Sequence, residues 1–445
     1  MELFSEILNS YIMPFMLILC GFLLAYKIKL HRILSPRAFF KTLADSGTTS
    51  GVSPVKAMCT ALAGTLGVGN IAGVATAITA GGAGAIMWMW IGSAVSMSIK
   101  YSEVVLAIKY RRKTDSGYIG GAMYTMRDGM SSYIGKRKAR LLGGVFALLC
   151  IVNSLLMGNA VQTNAAASVF ESVPKEVISV SFVAVIIIVS SFGAKKLCNV
   201  TFALIPPLSA LYIILSASVI CRNVSYIPEV ICDIVNGAFS VKSAVGGAVG
   251  FGMAEALRYG ITRGIFSNEA GCGTSPTAHA SADTKSPHHQ GCFGIFEVIA
   301  DTPVLCTMTA LAILIAEKKH PASLYSFDGV PLSLASFGSL LGKYAYYLVG
   351  ISVILFALAT IIAQLFYGKV ALGYFTASKK AEKLFAFLSV TACLVGAVMP
   401  AGLMWTGADI TVGVMTTVNT AVLIVMRREV ADIASLGLNN LDSDK

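Results

Sequence analysis

Residues 61–84 read ALAGTLGVGNIAGVATAITAGGAG, and they decide the fold. The stretch is apolar enough to sit in a bilayer and long enough to cross one, since about 20 helical residues span a hydrocarbon core of about 30 Å. Yet Gly64, Gly67, Gly69 and Gly73 crowd around Asn70 at its centre. Each glycine costs a helix interior about 1 kcal/mol, so the sequence predicts a span that unwinds locally. Unwound backbone at membrane depth survives only where protein or a watery cavity satisfies its N–H and C=O groups. The competing reading is close packing through small residues, for which Gly69 and Gly73 have the spacing.

The rest of the chain has the same character. Of 445 residues, 56% are hydrophobic and 13% charged, against about 25% charged in an average soluble domain; mean hydropathy is +0.74. That excludes a soluble globule, and the dyad alternation of a membrane β-barrel is missing. Eleven apolar runs of helical length follow one another, at about 10–27, 57–79, 84–108, 141–169, 177–193, 200–221, 244–266, 291–316, 346–372, 383–400 and 405–426. The fold class is therefore all-α and polytopic, with eleven transmembrane helices. The first run has no basic region ahead of it and no A-x-A site after it, so it reads as an anchor and not a cleaved signal.

The net charge of +11 is gathered in loops and does not form a phosphate footprint, so no nucleic acid is expected. With residue 1 outside, one side of the bundle receives 27 of the 34 Lys and Arg, the other six, and Lys100 lies within a span. The positive-inside rule then places the chain in the plasma membrane with its N-terminus outside and its C-terminus in the cytoplasm. Cys20, Cys59, Cys150, Cys306 and Cys393 fall inside apolar runs as small hydrophobes. Cys221 and Cys232 flank one loop, and free thiols are the favoured reading over a pair.

The seventh run, VGGAVGFGMAEALRYGITRG over residues 245–264, is glycine-rich at Gly246, Gly247, Gly250 and Gly252. Setting the first run aside, the two glycine-rich runs are the first and sixth of ten, the opening helices of two five-helix halves of opposite orientation. Interrupted helices at corresponding positions are the mark of a secondary transporter built from inverted repeats. The chain divides into 1–56, an extra N-terminal helix and its loop; 57–221, the first five-helix repeat; and 222–445, the second repeat with the C-terminus. A broken helix offers N–H groups at one half-helix start, which suit a carboxylate, and free carbonyls at the other half-helix end, which suit a small cation. Substrate contacts are expected at Gly67, Gly69, Asn70 and Gly73 in the first break and at Phe251 and Gly252 in the seventh run.

The residues GTLGVGNIAGVATAITAGGAGAIMWMW, KYSEVVLAIKYR, GGAMYTM, GNAVQTN, RGIFSNEAGCGTSPTAHA and DTPVLCTMTAL, in this order over nearly the whole chain, resemble the alanine/glycine:cation symporter family. The resemblance implies a leucine-transporter-type core of ten helices with one helix in front, and symport of alanine or glycine with sodium. It places Gln162 against the substrate and implies a sodium site of carbonyls near Gly64–Gly67 with Thr360. The residues themselves leave alternatives: Asn70 as a ligand or as a structural amide closing the turn, and Gln162 as hydrogen-bond glue. Thr360 and Gln364, four apart, share a helix face. Glu297 and Asp301, also four apart, could share a proton as a coupling device or pin a helix. Glu103 is expected to pair with Lys100 or Lys109. Arg263 and Glu269, with Glu255 and Arg258, read as a cytoplasmic gate or a static network, and Asp409 lies near the outer start of the last span.

The family's pattern is not matched everywhere. Gly120-Gly121-Ala122-Met123-Tyr124-Thr125 stands for the usual GGPMYY, the last span has Thr411 to Asn419 in a changed pattern, and Gln364 stands where the family has tryptophan. These departures put the substrate in question more than the fold.

An enzyme is not expected. Cys272, His279, His288 and His289 lack zinc-site spacing, GxSxG is absent, and GVGNIAG is not a dinucleotide fingerprint. A non-transporting receptor would not need two broken helices. The expected partners are a small neutral amino acid, the lipid bilayer and co-transported sodium, with no organic cofactor, the protein acting as a monomer. The alternative is a proton-coupled carrier of the same fold for serine, threonine or glutamine.

Overall fold

The computed structural model describes residues 2–44, 51–115, 117–170, 172–239, 252–284, 286–320, 324 and 326–443. They are almost wholly helical. The chain begins with α1 (Phe4–Lys27), then the half-helices α2 (Pro54–Thr65) and α3 (Ala72–Gly81), which meet at a 61° bend. α4 (Gly84–Lys109) leads into a small antiparallel hairpin, Arg112–Thr114 with Gly117–Ile119. Then come α5 (Lys136–Ala167), α6 (Lys175–Ser190), α7 (Ala194–Arg222) and α8 (Ile227–Phe239). The second half holds α9 (Met253–Asn268), α10 (Pro287–Lys319), α11 (Gly329–Leu341) and α12 (Lys343–Leu372). It ends with α13 (Lys379–Val398), α14 (Ala401–Val425) and α15 (Arg427–Ser443).

Local chemistry sets several starts. Ser53 caps α2 by accepting the Lys56 N–H, and Ser286 caps α10 by accepting that of His289; each is followed by proline at the first helical position. Asp328 accepts the Gly329 N–H at the start of α11.

Among the described residues eight helices are long and apolar enough to cross a membrane, nine with the bent α2–α3 pair counted as one span. α6 and α9 have 16 residues each, short of a span, and residues 240–251 ahead of α9, which include Gly246, Gly247, Gly250 and Phe251, lie outside the described residues. α4 and α12 form the centre, with 78% and 72% of their apolar stretches buried, whereas α7 and α13 bury only 28% each. Their outward side chains, such as Ile214, Leu384 and Phe387, are large and apolar, as a lipid-facing rim requires.

Both α5 and α10 carry a wider π-helical stretch at mid-length, Ser154–Val161 and Ala300–Cys306. Such stretches concentrate at functional positions. Here they lie beside the bends described next.

Candidate functional site

The first break runs from Leu66 to Ile71. α2 ends in Thr65, Gly67 is extended, Val68–Asn70 make one tight turn, and α3 starts at Ala72. All of it is buried, so its polar groups need partners from other helices. Thr360 of α12 supplies one: its Oγ1 lies 3.0 Å from the Ala63 carbonyl oxygen and 3.1 Å from that of Phe356. Gln162 of α5 supplies another, its Oε1 accepting the Val68 N–H at 3.3 Å. A Cβ on Gly67 would stand 2.5 Å from Thr360 Oγ1 and 3.1 Å from Gln162 Oε1, so only glycine lets both oxygens approach the backbone here. Gly64 faces the Tyr367 hydroxyl, and a Cβ on Gly73 would meet nothing within 4 Å.

Among the described residues a second break follows α9, while Gly246, Gly247 and Gly250 of the seventh run lie outside them. Gly252 is only the N-terminal cap of α9, and α9 continues unbroken to Asn268. The chain then unwinds over Glu269–Ser275, with positive φ at Glu269, Gly271 and Gly273, before the short helix Pro276–Ala280. For glycine that conformation is free; for Glu269 it needs support. Gln364 Nε2 donates to Glu269 Oε1 at 2.9 Å and Thr274 Oγ1 to its Oε2 at 2.5 Å, with the carboxylate 1% exposed.

The first break touches the last turn of α9, just ahead of the second break. Ser267 Cα would lie 3.2 Å from a Cβ on Gly69, and Asp301 of α10 joins that turn to the first break. It accepts from Asn70 Nδ2 at 2.6 Å, from Ser267 Oγ at 2.9 Å and from Thr302 Oγ1 at 2.7 Å. Asn70 Oδ1 is left buried without a partner.

Glu297, one turn earlier, points to other groups. Lys100 Nζ lies 3.2 Å from its Oε1 and His279 Nε2 2.9 Å from its Oε2, all three fully buried, and Lys100 also donates to Ser275 Oγ at 2.6 Å. Glu297 and Asp301 therefore do not form a carboxylate pair. Nor does Glu103 bind Lys100 or Lys109: it accepts from Asn419 Nδ2, while Lys109 pairs with Glu429.

Arg263 is far from Glu269 in its bonding. It reaches Asp409 at 3.4 Å, stacks 4.9 Å over the Trp405 ring, and Arg258 approaches Glu6 at 3.6 Å. Arg263 separates two cavities, one of about 430 Å³ bounded by Thr76, Ser168, Asp328 and Gly402, another of about 340 Å³ bounded by Glu6, Asn9 and Asp409. Glu6 and Asn9 lie near the start of α1, so Arg258 and Arg263 sit on the same side of the bundle as the N-terminus, apart from Glu269. Moving both leaves 25 basic residues on one side and eight on the other, and the charge asymmetry keeps its sense.

Cys221 and Cys232 are both exposed free thiols. Among the described residues no group of His, Cys, Asp and Glu is arranged to hold a metal. The oxygens gathered at Gly67 are hydroxyl, amide and carbonyl, a hard set suited to an alkali cation.

A helical bundle with two broken helices meeting at its buried centre, and cavities on one side of them, defines a membrane transporter. The sodium:alanine symporter family matches residues 1–436. The chain belongs to that family, which is one of transporters and not of enzymes.

It is 33% identical over 431 residues to the sodium/alanine symporter AgcS of Methanococcus maripaludis, covering 94% of this chain and 93% of that protein. It is 32% identical over 432 residues to the probable sodium/glutamine symporter GlnT of Bacillus subtilis, covering 96% and 87%. Its fold is similar to that of a mutant of the Eremococcus coleocola manganese transporter, with a TM-score of 0.52 and 13% identity over 87% of this chain and 78% of that one. At that identity the likeness concerns the fold alone.

Proposed function

We propose that the protein is a monomeric sodium symporter importing a small neutral amino acid of the alanine/glycine type by alternating access across the plasma membrane, with its N-terminus outside. The observation that carries this reading is the meeting of the first break with the end of α9 beside the second, joined through Asn70, Asp301 and Ser267 and flanked by Thr360 and Gln162.

Sodium takes the carbonyls at the end of α2, from Ala63 and Gly64 to Gly67, with Thr360 Oγ1 as a further oxygen. The amino acid carboxylate approaches the N–H groups that begin after Gly67, near Gly69 and Asn70, where Gln162 Oε1 now holds the Val68 N–H. Its side chain extends toward Gly73 and Gln364. The breaks open the first and sixth of ten core helices, in the halves 57–221 and 222–445, with α1 as the extra helix of 1–56 and eleven spans in all. Arg263 with Asp409 forms an outer gate between the two cavities, and Glu269, Glu297 and Asp301 hold the breaks in register during the change of access.

A second reading has its own observation. Gln364 keeps an unpartnered buried Oε1, and three of the buried carboxylates, at Glu103, Glu269 and Asp301, are held by neutral donors. That favours a more polar substrate, serine, threonine or glutamine, and proton coupling. The near-equal identities to an alanine and a glutamine symporter leave this choice to the residues of the site.

Proteoliposomes with imposed gradients separate the two. Uptake of labelled alanine should follow an inward sodium gradient and ignore a pH step at fixed sodium. Uptake that follows the pH step without sodium removes the first reading and leaves the second. A panel of unlabelled amino acids in the same assay reads the preferred side chain.

A further inference from the structure

The face that carries α15 has a concave basic site with no part in the transport path. It is identified with that face by the bonds of Lys109 and Tyr110 to Glu429, immediately ahead of the hairpin. Arg112, Arg127, Asp128, Ser131, Lys136, Arg140 and Tyr374 enclose about 520 Å³ there.

Its charges do not balance. Arg112 donates to both oxygens of Asp128, at 3.1 Å each from Nη2, and Arg127 uses the same carboxylate at 3.2 Å. Arg127 is further fixed between two rings, 4.8 Å from that of Tyr124 and 5.0 Å from that of Tyr374. Lys136 and Arg140 have no acidic partner among the described residues. Four cations thus share one carboxylate in a hollow.

Helix polarity increases the demand. Lys136 opens α5, whose first turn has no acidic residue and whose cap, Gly135, offers no side chain. Positive charge at the positive end of a helix dipole is unfavourable, and a bound anion offsets both.

The rim says where the anion comes from. Tyr133, Ile134 and Phe375 stand exposed beside the hollow. From it an exposed apolar stripe, Leu141, Val145, Leu148 and Val152, runs along one face of α5 at helical spacing. A phosphate in the hollow therefore has a ready track for an acyl chain.

We infer that this hollow binds a phosphate-bearing anion, supplied as the headgroup of an acidic phospholipid with its chain along α5. Clusters of Lys and Arg at the boundary of a bilayer recognise such headgroups.

The test uses the full chain in neutral detergent, with its melting temperature followed as phosphatidylglycerol, phosphatidylcholine or inorganic phosphate is added. Phosphatidylglycerol should raise the melting temperature of the wild type at concentrations where phosphatidylcholine does not. The variant Lys136→Gln/Arg140→Gln, altered only at exposed side chains, should need roughly tenfold more phosphatidylglycerol for the same rise. Arg137→Gln, next to the hollow but outside its lining, should behave as wild type. Equal protection of the wild type and the double variant by phosphatidylglycerol overturns the site, as does an equal loss with Arg137→Gln. Inorganic phosphate matching phosphatidylglycerol at equal concentration overturns the lipid as its source.

Discussion

The two breaks solve one problem by different chemistry. At Leu66–Ile71 the backbone is supported by neutral groups, a threonine hydroxyl and a glutamine amide, and the one carboxylate there, Asp301, holds the Asn70 side chain. At Glu269–Ser275 ionisable groups take part, with Glu269 on Gln364 and Thr274, and Lys100 bridging Ser275 to Glu297, whose other oxygen meets His279. Neutral dipoles can exchange one partner for another at a net of about 1 kcal/mol each, whereas stripping one member from a buried charged pair costs several. The first break is thus built to trade contacts with ligands, and the second is built to hold its shape.

The comparison breaks hardest at Lys100. Lys100→Met leaves Glu297 with His279 alone, and about 3–5 kcal/mol of stability should be lost, read as a large fall in melting temperature. Lys100→Met/Glu297→Gln should regain much of it, since both charges are then gone. A Lys100→Met protein that melts like wild type would mean that the second break does not depend on its charges.

At the first break the effect should be on function. Thr360→Val, nearly the same shape, should leave melting within a degree or two and raise the sodium concentration for half-maximal uptake at least about fivefold, the equivalent of one neutral hydrogen bond. Unchanged sodium dependence would take Thr360 out of the ion site.

Gln364 links the two regions, being one turn from Thr360 and bonded to Glu269, and its test is the finest. Gln364→Trp removes that bond and adds a broad apolar wall beside Gly158, whose Cβ position lies 2.4 Å from Gln364 Cβ. Inhibition of alanine uptake by serine and glutamine should weaken severalfold, a change of about 1 kcal/mol. Identical inhibition profiles in the two proteins would show that position 364 does not select the side chain.

The first break was legible because its cause is local: glycines around Asn70 within one apolar run. The approach of Thr360 to it followed from family resemblance, whereas Gln162 was expected against the substrate and its bond to the Val68 N–H was not read. Gly246, Gly247 and Gly250, on which the second break was expected, lie outside the described residues, and the break at Glu269–Ser275, where a glutamate takes positive φ, was not read from the sequence. Gly271-Cys272-Gly273 followed by Ser275-Pro276 held the signal, a turn and then proline at a helix start. The partners of Lys100, Glu103 and Arg263 were not legible at all. Each lies on a helix remote in sequence, and a spacing rule that works within one helix says nothing about which helices meet.

The Lys100–Glu297 pair also sets a condition on how the protein is made. The two residues are 197 positions apart, and a lone charge at the middle of an inserting helix costs about 2.5–3.5 kcal/mol. At about 5–20 residues per second of synthesis, α4 waits on the order of 10–40 seconds before α10 emerges to neutralise it. During that interval the helix has to be sheltered by its neighbours or by the insertion machinery. The centre of the first half is therefore not finished until the second half arrives.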